Sequence, residues 1–390
     1  MDMMKILEQI AIPRPCHRES LGQVAVFVKE LLSSWGTPFL AQEFALRPHA
    51  ILLLGIGVLL LATIFFILIL KKKPLWALIP LLLIPVIIFS ETEFSKPVLS
   101  WLIQKPAENI VVEFKTDAPE RELIFAAHYD SKTDFWDHQE RSRIAGLFTP
   151  SLFLGLALII WTLLMKKVNI LSAKKFQVVT IVGGVFFLMA YGLAFSWWGG
   201  YIFMNQKSDS LGAVDDGGAV VVLLALAKDI QEGRISIGSS DVTILLTAGE
   251  EVGFQGAGHY VKERFGSGQS ASGPSPYLVN LELVGQNGNM VYWEKIGIFL
   301  RFYEADAGLI DRLSVTWKGI SGKDMASYPK LSDDSKMFAE AGIPVVTVGH
   351  SGLPGLGWGG LHSVNDNLQR VNPENLELMR KTLGNFIESY

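Results

Sequence analysis

Long runs of apolar residues that contain no charged side chain dominate the pattern of this 390-residue chain. Four such runs cover residues 50–70, 74–90, 144–165 and 176–204. A helix that crosses a membrane needs about 20 predominantly apolar residues, with a range of about 17–25. Each run is long enough, and only three lysines separate the first from the second. The pattern therefore predicts two transmembrane helical hairpins, with buried core helices as the alternative for the first pair.

The remaining residues alternate between short strand-like runs and longer segments with helical periodicity. Strands are predicted at residues 39–44, 110–114, 122–129, 241–247, 277–284 and 343–348. Helices are predicted within residues 4–35, where prolines interrupt the pattern, and at 219–230, 256–265, 302–313, 333–341 and 373–390. Because strands alternate with helices, we expect an α/β fold with a doubly wound, mixed but mainly parallel sheet and helices on both faces.

The hairpins also predict how the chain is divided. One large α/β domain would be built from residues 1–47, 105–143 and 205–390. The first hairpin would be inserted at residues 48–104 and the second at residues 144–204.

Composition excludes several classes of protein. Hydrophobic residues make up 49% of the chain and charged residues only 18%, which excludes intrinsic disorder. Cys16 is the single cysteine, so neither an internal disulfide nor a metal site built on several thiolates can form. The net charge of −4 gives no indication of a nucleic-acid partner.

The loops of both predicted hairpins are basic. Residues 71–73 are all lysine, and four lysines without any acidic residue lie between residues 166 and 175. The positive-inside rule places such loops in the cytoplasm. We therefore expect a multi-pass protein of the cell membrane, in contact with the lipid bilayer, whose α/β domain lies on the extracytoplasmic face. Arg141 and Arg143 argue weakly for the opposite orientation.

Acidic and histidine residues collect near the ends of predicted strands, where open α/β sheets bind their ligands. His128 and Asp130 are two residues apart on a strand and share a face, which suits a metal-binding histidine beside a carboxylate or a purely structural pair. Asp215 and Asp216 are framed by glycines at a helix start. A helix cap would explain one of these two acids but not both.

Three further positions follow or interrupt apolar strands. Glu250 and Glu251 could divide metal binding and proton transfer between them, because adjacent carboxylates raise each other's pKa; an exposed turn is the alternative. Glu282 interrupts an apolar run and needs a metal or a basic partner. His362 alone would carry no function. Together the clusters offer nitrogen and oxygen ligands that suit Zn²⁺ or a similar divalent cation.

The order of the motifs HYD, A-x-D-D, GEE-x-G, NLE and H-S-x-x-D resembles the co-catalytic di-zinc aminopeptidase family, which also contains glutamate carboxypeptidases and animal glutaminyl cyclases. The resemblance covers about residues 1–47 and 106–390. It implies two Zn²⁺ ions per chain, with Asp215 bridging them. His128 and Glu282 would complete one site, and Glu251 and His362 the other.

The resemblance also implies roles for three acids that do not bind metal. Glu250 would be the general base, Asp130 would orient His128, and Asp334 would be structural. Glu282 departs from the family pattern, which usually has aspartate there, but glutamate also binds zinc and membrane-bound relatives carry NLE. The larger departure is the inserted hairpins. Since one of them separates two metal ligands, we expect the cleft to lie near the membrane face.

By resemblance, the protein would be a membrane-anchored zinc aminopeptidase acting on peptides with a free N-terminus, in which a water activated by two metal ions attacks the peptide bond. One alternative is a glutaminyl cyclase on the same scaffold, because HYDSK is shared with the cyclases whereas GEEVGFQG is closer to the peptidases. The other is a non-enzymatic binding subunit, although such members lose metal ligands that are all present in this chain. No oligomeric state is predicted.

Overall fold

The computed structural model of the chain describes residues 1–71, 73–137, 139–140, 143, 157, 209–266, 274–298, 300–352 and 359–390. These residues fall into two units. Unit 1 comprises Met1–His49, Ile103–Thr133 and the described part of Asn205–Tyr390. Unit 2 comprises Ala50–Leu102 and the described part of Asp134–Met204. Apart from residue 157, the second predicted hairpin lies outside the described residues.

The helices and strands are numbered in chain order over the described residues. The helices are α1 (Met3–Ile10), α2 (Ser20–Ser34), α3 (Ala50–Leu70), α4 (Pro74–Ile88), α5 (Gly218–Gln231), α6 (Gln255–Phe265), α7 (Ala307–Ser321), α8 (Ser335–Glu340) and α9 (Pro373–Ser389). The strands are β1 (Leu40–Leu46), β2 (Lys105–Phe114), β3 (Arg121–His128), β4 (Ser240–Thr247), β5 (Ser275–Leu281), β6 (Met290–Trp293), β7 (Lys295–Gly297), β8 (Phe302–Glu304), β9 (Ala326–Tyr328) and β10 (Val345–His350).

An eight-stranded sheet forms the centre of unit 1, in the order β1-β2-β4-β3-β5-β10-β6-β9. The four neighbouring strands β4, β3, β5 and β10 are parallel, as are β6 and β9. The β1–β2, β2–β4 and β10–β6 pairs are antiparallel. The prediction of a mixed, mainly parallel sheet is therefore confirmed. The carboxyl ends of the central strands meet at one edge, where ligands bind in such sheets.

Helices cover both faces of the central strands. On β3, Ile124 and Ala126 belong to a buried cluster with Phe338 of α8. Phe125 points to the opposite face and meets Phe386 of α9 edge to face, with ring centroids 6.3 Å apart. A strand buried on both faces reads as a continuous apolar run rather than as an alternation, which explains why β3 was conspicuous in the sequence.

Two details of the predicted elements are wrong. The helix predicted at 302–313 begins only at Ala307, because residues 302–304 form β8. Strand β5 ends at Leu281, so Glu282 lies just after the strand and not within it. Strands β6, β7 and β9 were not predicted, since three or four residues are too few to display a period.

Unit 2 contains two helices that are long and apolar enough to cross a membrane, with candidate spans at Ala50–Leu68 and Trp76–Glu93. The two helices pack through a small apolar cluster that includes Ala62, Ala77 and Leu81. Many other apolar side chains point outward, as Trp76 does with 64% of its surface exposed. A core helix of a soluble protein would bury such residues.

The chain leaves and re-enters unit 1 at neighbouring points. Leu46, at the end of β1, pairs with Lys105, at the start of β2, so the segment between them takes the place of a hairpin turn. At the second departure point, the Ser210 amide donates a 2.9 Å hydrogen bond to Thr133 Oγ1. Unit 1 therefore closes across both insertions.

Candidate metal centre

The predicted site residues lie at the carboxyl edge of the central strands. His128 is the last residue of β3, and Glu282 directly follows β5. Glu250 and Glu251 lie in the turn between β4 and α6. Asp215 belongs to the turn before α5, and His362 lies in the loop before α9. Neighbouring parallel strands thus bring together residues that are far apart in the chain.

The side chain of Asp215 lies between two imidazoles. Its Oδ1 is 3.1 Å from His128 Nε2, and its Oδ2 is 3.0 Å from His362 Nε2. His128 Nε2 is also 3.7 Å from Glu282 Oε1, and His362 Nε2 is 3.1 Å from Glu251 Oε1. The carboxylate thus reaches two separate groups of potential ligands with its two oxygens.

These spacings are those of ligands that share a metal ion. Two ligands of one tetrahedral zinc ion, each about 2.0–2.1 Å from the metal, lie about 3.3 Å apart. The ligand atoms form two groups, His128 with Asp216 and Glu282, and Asp215 with Glu251 and His362. Each group combines one imidazole nitrogen with two carboxylates, a donor set that suits Zn²⁺.

Four buried atoms of these groups lack a hydrogen bond within the described part of the chain. His128 Nε2, Asp216 Oδ2, Glu251 Oε1 and Glu282 Oε2 are buried and make no hydrogen bond to any described residue. A buried polar atom left without a partner costs about 1–3 kcal/mol. Two divalent cations would satisfy all four atoms and neutralise the adjacent carboxylates, so the residues present fit the implied metal.

Asp216 takes a position that the sequence analysis did not assign. Its Oδ1 accepts a 3.2 Å hydrogen bond from the Leu283 amide, which ties the turn before α5 to the end of β5. The α5 start and the β5 end approach so closely that a Cβ on Gly218 would lie 2.0 Å from the Val284 carbonyl oxygen. Glycine is therefore required at this position.

Asp130 joins His128 to the turn that carries the two glutamates. Its carboxylate accepts hydrogen bonds from the amides of Gly249, Glu250 and Glu251 at 2.9, 3.2 and 3.2 Å. His128 Nδ1 lies 3.2 Å from the backbone carbonyl oxygen of Asp130 and 3.5 Å from its Oδ1, so Asp130 can hold the imidazole with Nε2 turned toward the cluster. The buried carboxylate thereby sets the positions of ligands from two strands.

Glu250 is a buried acid of this edge that belongs to neither ligand group. Burial, together with the nearby charges of Glu251 and Glu282, raises the pKa of Glu250 well above its usual range. Burial also raises the pKa of Glu282, to about 8. Cations bound beside them would favour the charged forms again, so Glu250 has a carboxylate suited to exchanging a proton near neutral pH.

Three residues at the site were not singled out from the sequence. Lys132 Nζ lies 3.9 Å from Glu251 Oε2. The carboxylate of Asp366 accepts a 2.8 Å hydrogen bond from the Val214 amide, and burial raises the pKa of Asp366 to about 7. The Cys16 thiol donates to Asp130 Oδ2 at 3.2 Å. Lys132 belongs to the HYDSK motif and Asp366 to the H-S-x-x-D motif. Their positions in these motifs are the only sequence feature that could have indicated them.

Solved structures of known proteins have the same fold. A glutaminyl cyclase from Fimbriiglobus ruber aligns with a TM-score of 0.58 at 13% identity, covering 100% of this chain and 94% of that one. A leucine aminopeptidase precursor from Bacteroides thetaiotaomicron aligns with a TM-score of 0.55 at 13% identity, covering 100% and 96%. A Zn-dependent exopeptidase from Parabacteroides distasonis aligns with a TM-score of 0.55 at 14% identity, covering 100% and 97%.

The chain thus shares the fold on which a glutaminyl cyclase, an aminopeptidase and a Zn-dependent exopeptidase are built. The sequence model of peptidase family M28 matches residues 197–387. The matched segment contains Asp215, Glu250, Glu251, Glu282 and His362, and it begins after His128. No curated protein matches the sequence.

Proposed function

We propose that this chain is a membrane-anchored aminopeptidase that binds two zinc ions and removes N-terminal residues from peptides with a free N-terminus. The observation that carries the proposal is the position of Asp215, whose two carboxylate oxygens lie within 3.1 Å of two different imidazoles. A carboxylate in this position can be shared by two cations. His128 and Glu282 would complete one site, and Glu251 and His362 the other.

Two divalent cations in these groups would acidify a water molecule and polarise the scissile carbonyl. Glu250 would accept the proton of the attacking water and return it to the leaving amine. Its buried position supports this role, because a raised pKa lets the same carboxyl both take and give a proton. Asp130 would keep His128 and the turn of Glu250 in place during the reaction.

Membrane anchoring is supported by α3 and α4, whose apolar surfaces suit a bilayer. The lysines at residues 71–73 favour a cytoplasmic loop between these helices. Unit 1 would then lie on the extracytoplasmic face and act on peptides there. The second predicted hairpin would add two further spans at residues 144–165 and 176–204.

Glutaminyl cyclisation is the second candidate. It is favoured by Lys132, which belongs to the HYDSK segment and lies beside the ligand Glu251, and by the fold shared with a glutaminyl cyclase. In that reaction the amine of an N-terminal glutamine attacks its own side-chain amide and releases ammonia, so no water is consumed. Aminopeptidase action is favoured by the presence of two ligand groups, one of which contains Asp215, and by the GEEVGFQG segment, which is closer to the peptidases.

The test is an assay of the full protein, purified in detergent and loaded with zinc, on matched peptides with free or blocked N-termini. Chelator-sensitive release of the first residue from free N-termini alone is the expected result. Ring closure of an N-terminal Gln peptide without hydrolysis of the others would identify a cyclase instead. Zinc binding without turnover of any peptide would overturn both activities.

A further inference from the structure

Arg14 is a fully buried basic side chain near the candidate metal centre. It lies between α1 and α2 with 0% of its surface exposed. Within the described part of the chain, its guanidinium donates only to backbone carbonyl oxygens. These are Tyr129 at 2.6 Å, Leu211 at 2.6 Å, Gly212 at 2.8 Å, Ile10 at 3.0 Å and Ile12 at 3.4 Å. Such a set uses the fixed fork of an arginine, which a lysine ammonium cannot reproduce.

Three of the carbonyls that Arg14 binds, those of Tyr129, Leu211 and Gly212, belong to the two segments on either side of the second insertion. Tyr129 stands between His128 and Asp130, and Gly212 begins the turn that ends in Asp215. Arg14 is also tied to the first segment through its backbone. Its amide donates to Ser131 Oγ at 3.0 Å, and the Ser131 amide donates to the Arg14 carbonyl at 3.2 Å. One side chain therefore joins two loops that each carry a ligand of the candidate centre.

The charge of Arg14 is not taken up by a single partner. Among the described residues no carboxylate forms an ion pair with it, and the negative charges that act on it are those of the site acids Asp366, Asp130, Asp216 and Asp215. A buried cation is costly unless surrounding groups compensate it. Here the compensation comes from carbonyl dipoles and from the acids that gather around the metal groups.

We propose that Arg14 is a positioning residue of the metal centre, which holds the His128 loop and the Asp215 loop at the separation that two cations require. This inference rests on the proposed two-metal site. The segment before the first hairpin thereby completes a centre whose other parts lie more than 100 residues further along the chain. Because Arg14 acts through the loops, its removal weakens metal binding before it affects any step of the reaction.

The experiment measures the zinc affinity of each site and the melting temperature of the metal-free protein, both with the full chain in detergent. Arg14→Met removes the guanidinium group and its charge. Arg14→Lys keeps the positive charge but loses the planar set of N–H donors. The matched control is Arg264→Met. Arg264 pairs with Glu122 and Glu113 near the opposite end of the sheet, at 2.6 and 2.7 Å, so its loss perturbs unit 1 away from the centre.

Loss of a group that orients metal ligands typically lowers metal affinity about 10- to 100-fold. We expect a loss near the upper end of that range for Arg14→Met and about tenfold for Arg14→Lys. Arg264→Met should lower the metal-free melting temperature and leave zinc affinity within about twofold of the parent protein. Affinity losses that merely follow the melting temperature across all three variants would overturn the proposal, as would full zinc affinity in Arg14→Met.

A milder variant covers the case in which the Arg14 variants do not fold. Ser131→Ala removes only the hydrogen bond that the Arg14 amide donates, and it should weaken zinc binding several-fold without loss of fold. Unchanged affinity in a folded Ser131→Ala protein would then count against the proposal. Since zinc affinity is read without substrate, a parent protein that binds two zinc ions but cleaves no peptide would refute the aminopeptidase and leave this inference standing.

Discussion

Removal of the metal should destabilise unit 1 by an amount that the structure allows us to work out. Four buried atoms of the two ligand groups make no hydrogen bond to a described residue: His128 Nε2, Asp216 Oδ2, Glu251 Oε1 and Glu282 Oε2. At about 1–3 kcal/mol for each buried atom left unsatisfied, their sum is about 4–12 kcal/mol. Linkage leads to a similar figure, because a ligand at about 1,000 times its Kd stabilises by about 4.1 kcal/mol per site.

The assay is thermal unfolding in detergent, followed by tryptophan fluorescence, before and after chelation. Trp293 and Trp317 are buried in unit 1 and report on its packing. A change of about 1 kcal/mol shifts the melting temperature by about 2–4 °C in a domain of about 150–250 residues. Even the lower bound of the destabilisation therefore predicts a fall of about 8 °C, which added Zn²⁺ should reverse.

Two results would refute this reasoning. A shift below about 3 °C, with complete metal removal verified by elemental analysis, would mean that the orphaned atoms do not depend on cations. Asp215→Asn supplies the internal control, since an amide offers one acceptor oxygen in place of two. If the zinc stoichiometry of that variant stayed at the parent value, the bridging position of Asp215 would be wrong.

Three further outcomes are expected. Glu250→Gln should lower kcat by about 10²- to 10⁴-fold through loss of the proton acceptor, with zinc content unchanged in elemental analysis; loss of zinc would make Glu250 a ligand instead. His350 is buried with a pKa lowered to about 3, and its Nδ1 accepts from the Gly285 amide. Below about pH 6.5 this histidine is protonated in the unfolded state but stays neutral in the folded state. The free energy of unfolding should therefore fall by about 2 kcal/mol between pH 6.5 and 5. Denaturant unfolding should show this loss in the parent protein and not in His350→Gln. A chain in which short Gly-Ser linkers replace residues 50–102 and 134–208 should fold without detergent and bind two zinc ions. Short linkers suffice because the chain leaves and re-enters unit 1 at neighbouring points. An aggregated or zinc-free product would contradict that expectation.

The central part of the fold could be predicted because burial on both faces leaves a strong trace in the sequence. Strands β3 and β4 are buried over nearly their whole length and contain the apolar runs LIFAA and ILL, and α5 is apolar until Lys228. The short strands at the β6–β9 edge leave no such trace, because their position depends on pairing with β10 and with one another. These short strands are formed by hydrogen bonds to distant parts of the chain, and the pattern of a single sequence holds no information on such bonds.

The candidate ligands were visible for a related reason. An acid such as Glu282, directly after an apolar strand, is removed from water. Its charge therefore requires a metal ion or a basic side chain as partner. Arg14 shows the limit of this reasoning. An arginine between two prolines in a loop reads as an exposed side chain, and only the carbonyls of distant loops reveal that it is buried. The distinct positions of Asp215 and Asp216 likewise follow from the local backbone, which a pattern of two adjacent acids does not specify.

The order of the strands explains why the segment matched by the peptidase family cannot account for the centre alone. Residues 197–387 contain β4, β5 and β10, yet β3 lies between β4 and β5 in the sheet. Without β3 the two flanking strands would have no partner between them, and the group around Glu282 would lack His128. The segment that supplies β3 stands before the second insertion, and the segment that supplies Arg14 stands before the first. Both insertions therefore interrupt a unit whose candidate metal centre would draw on residues from all three of its segments, which requires the chain to return to unit 1 close to where it departs.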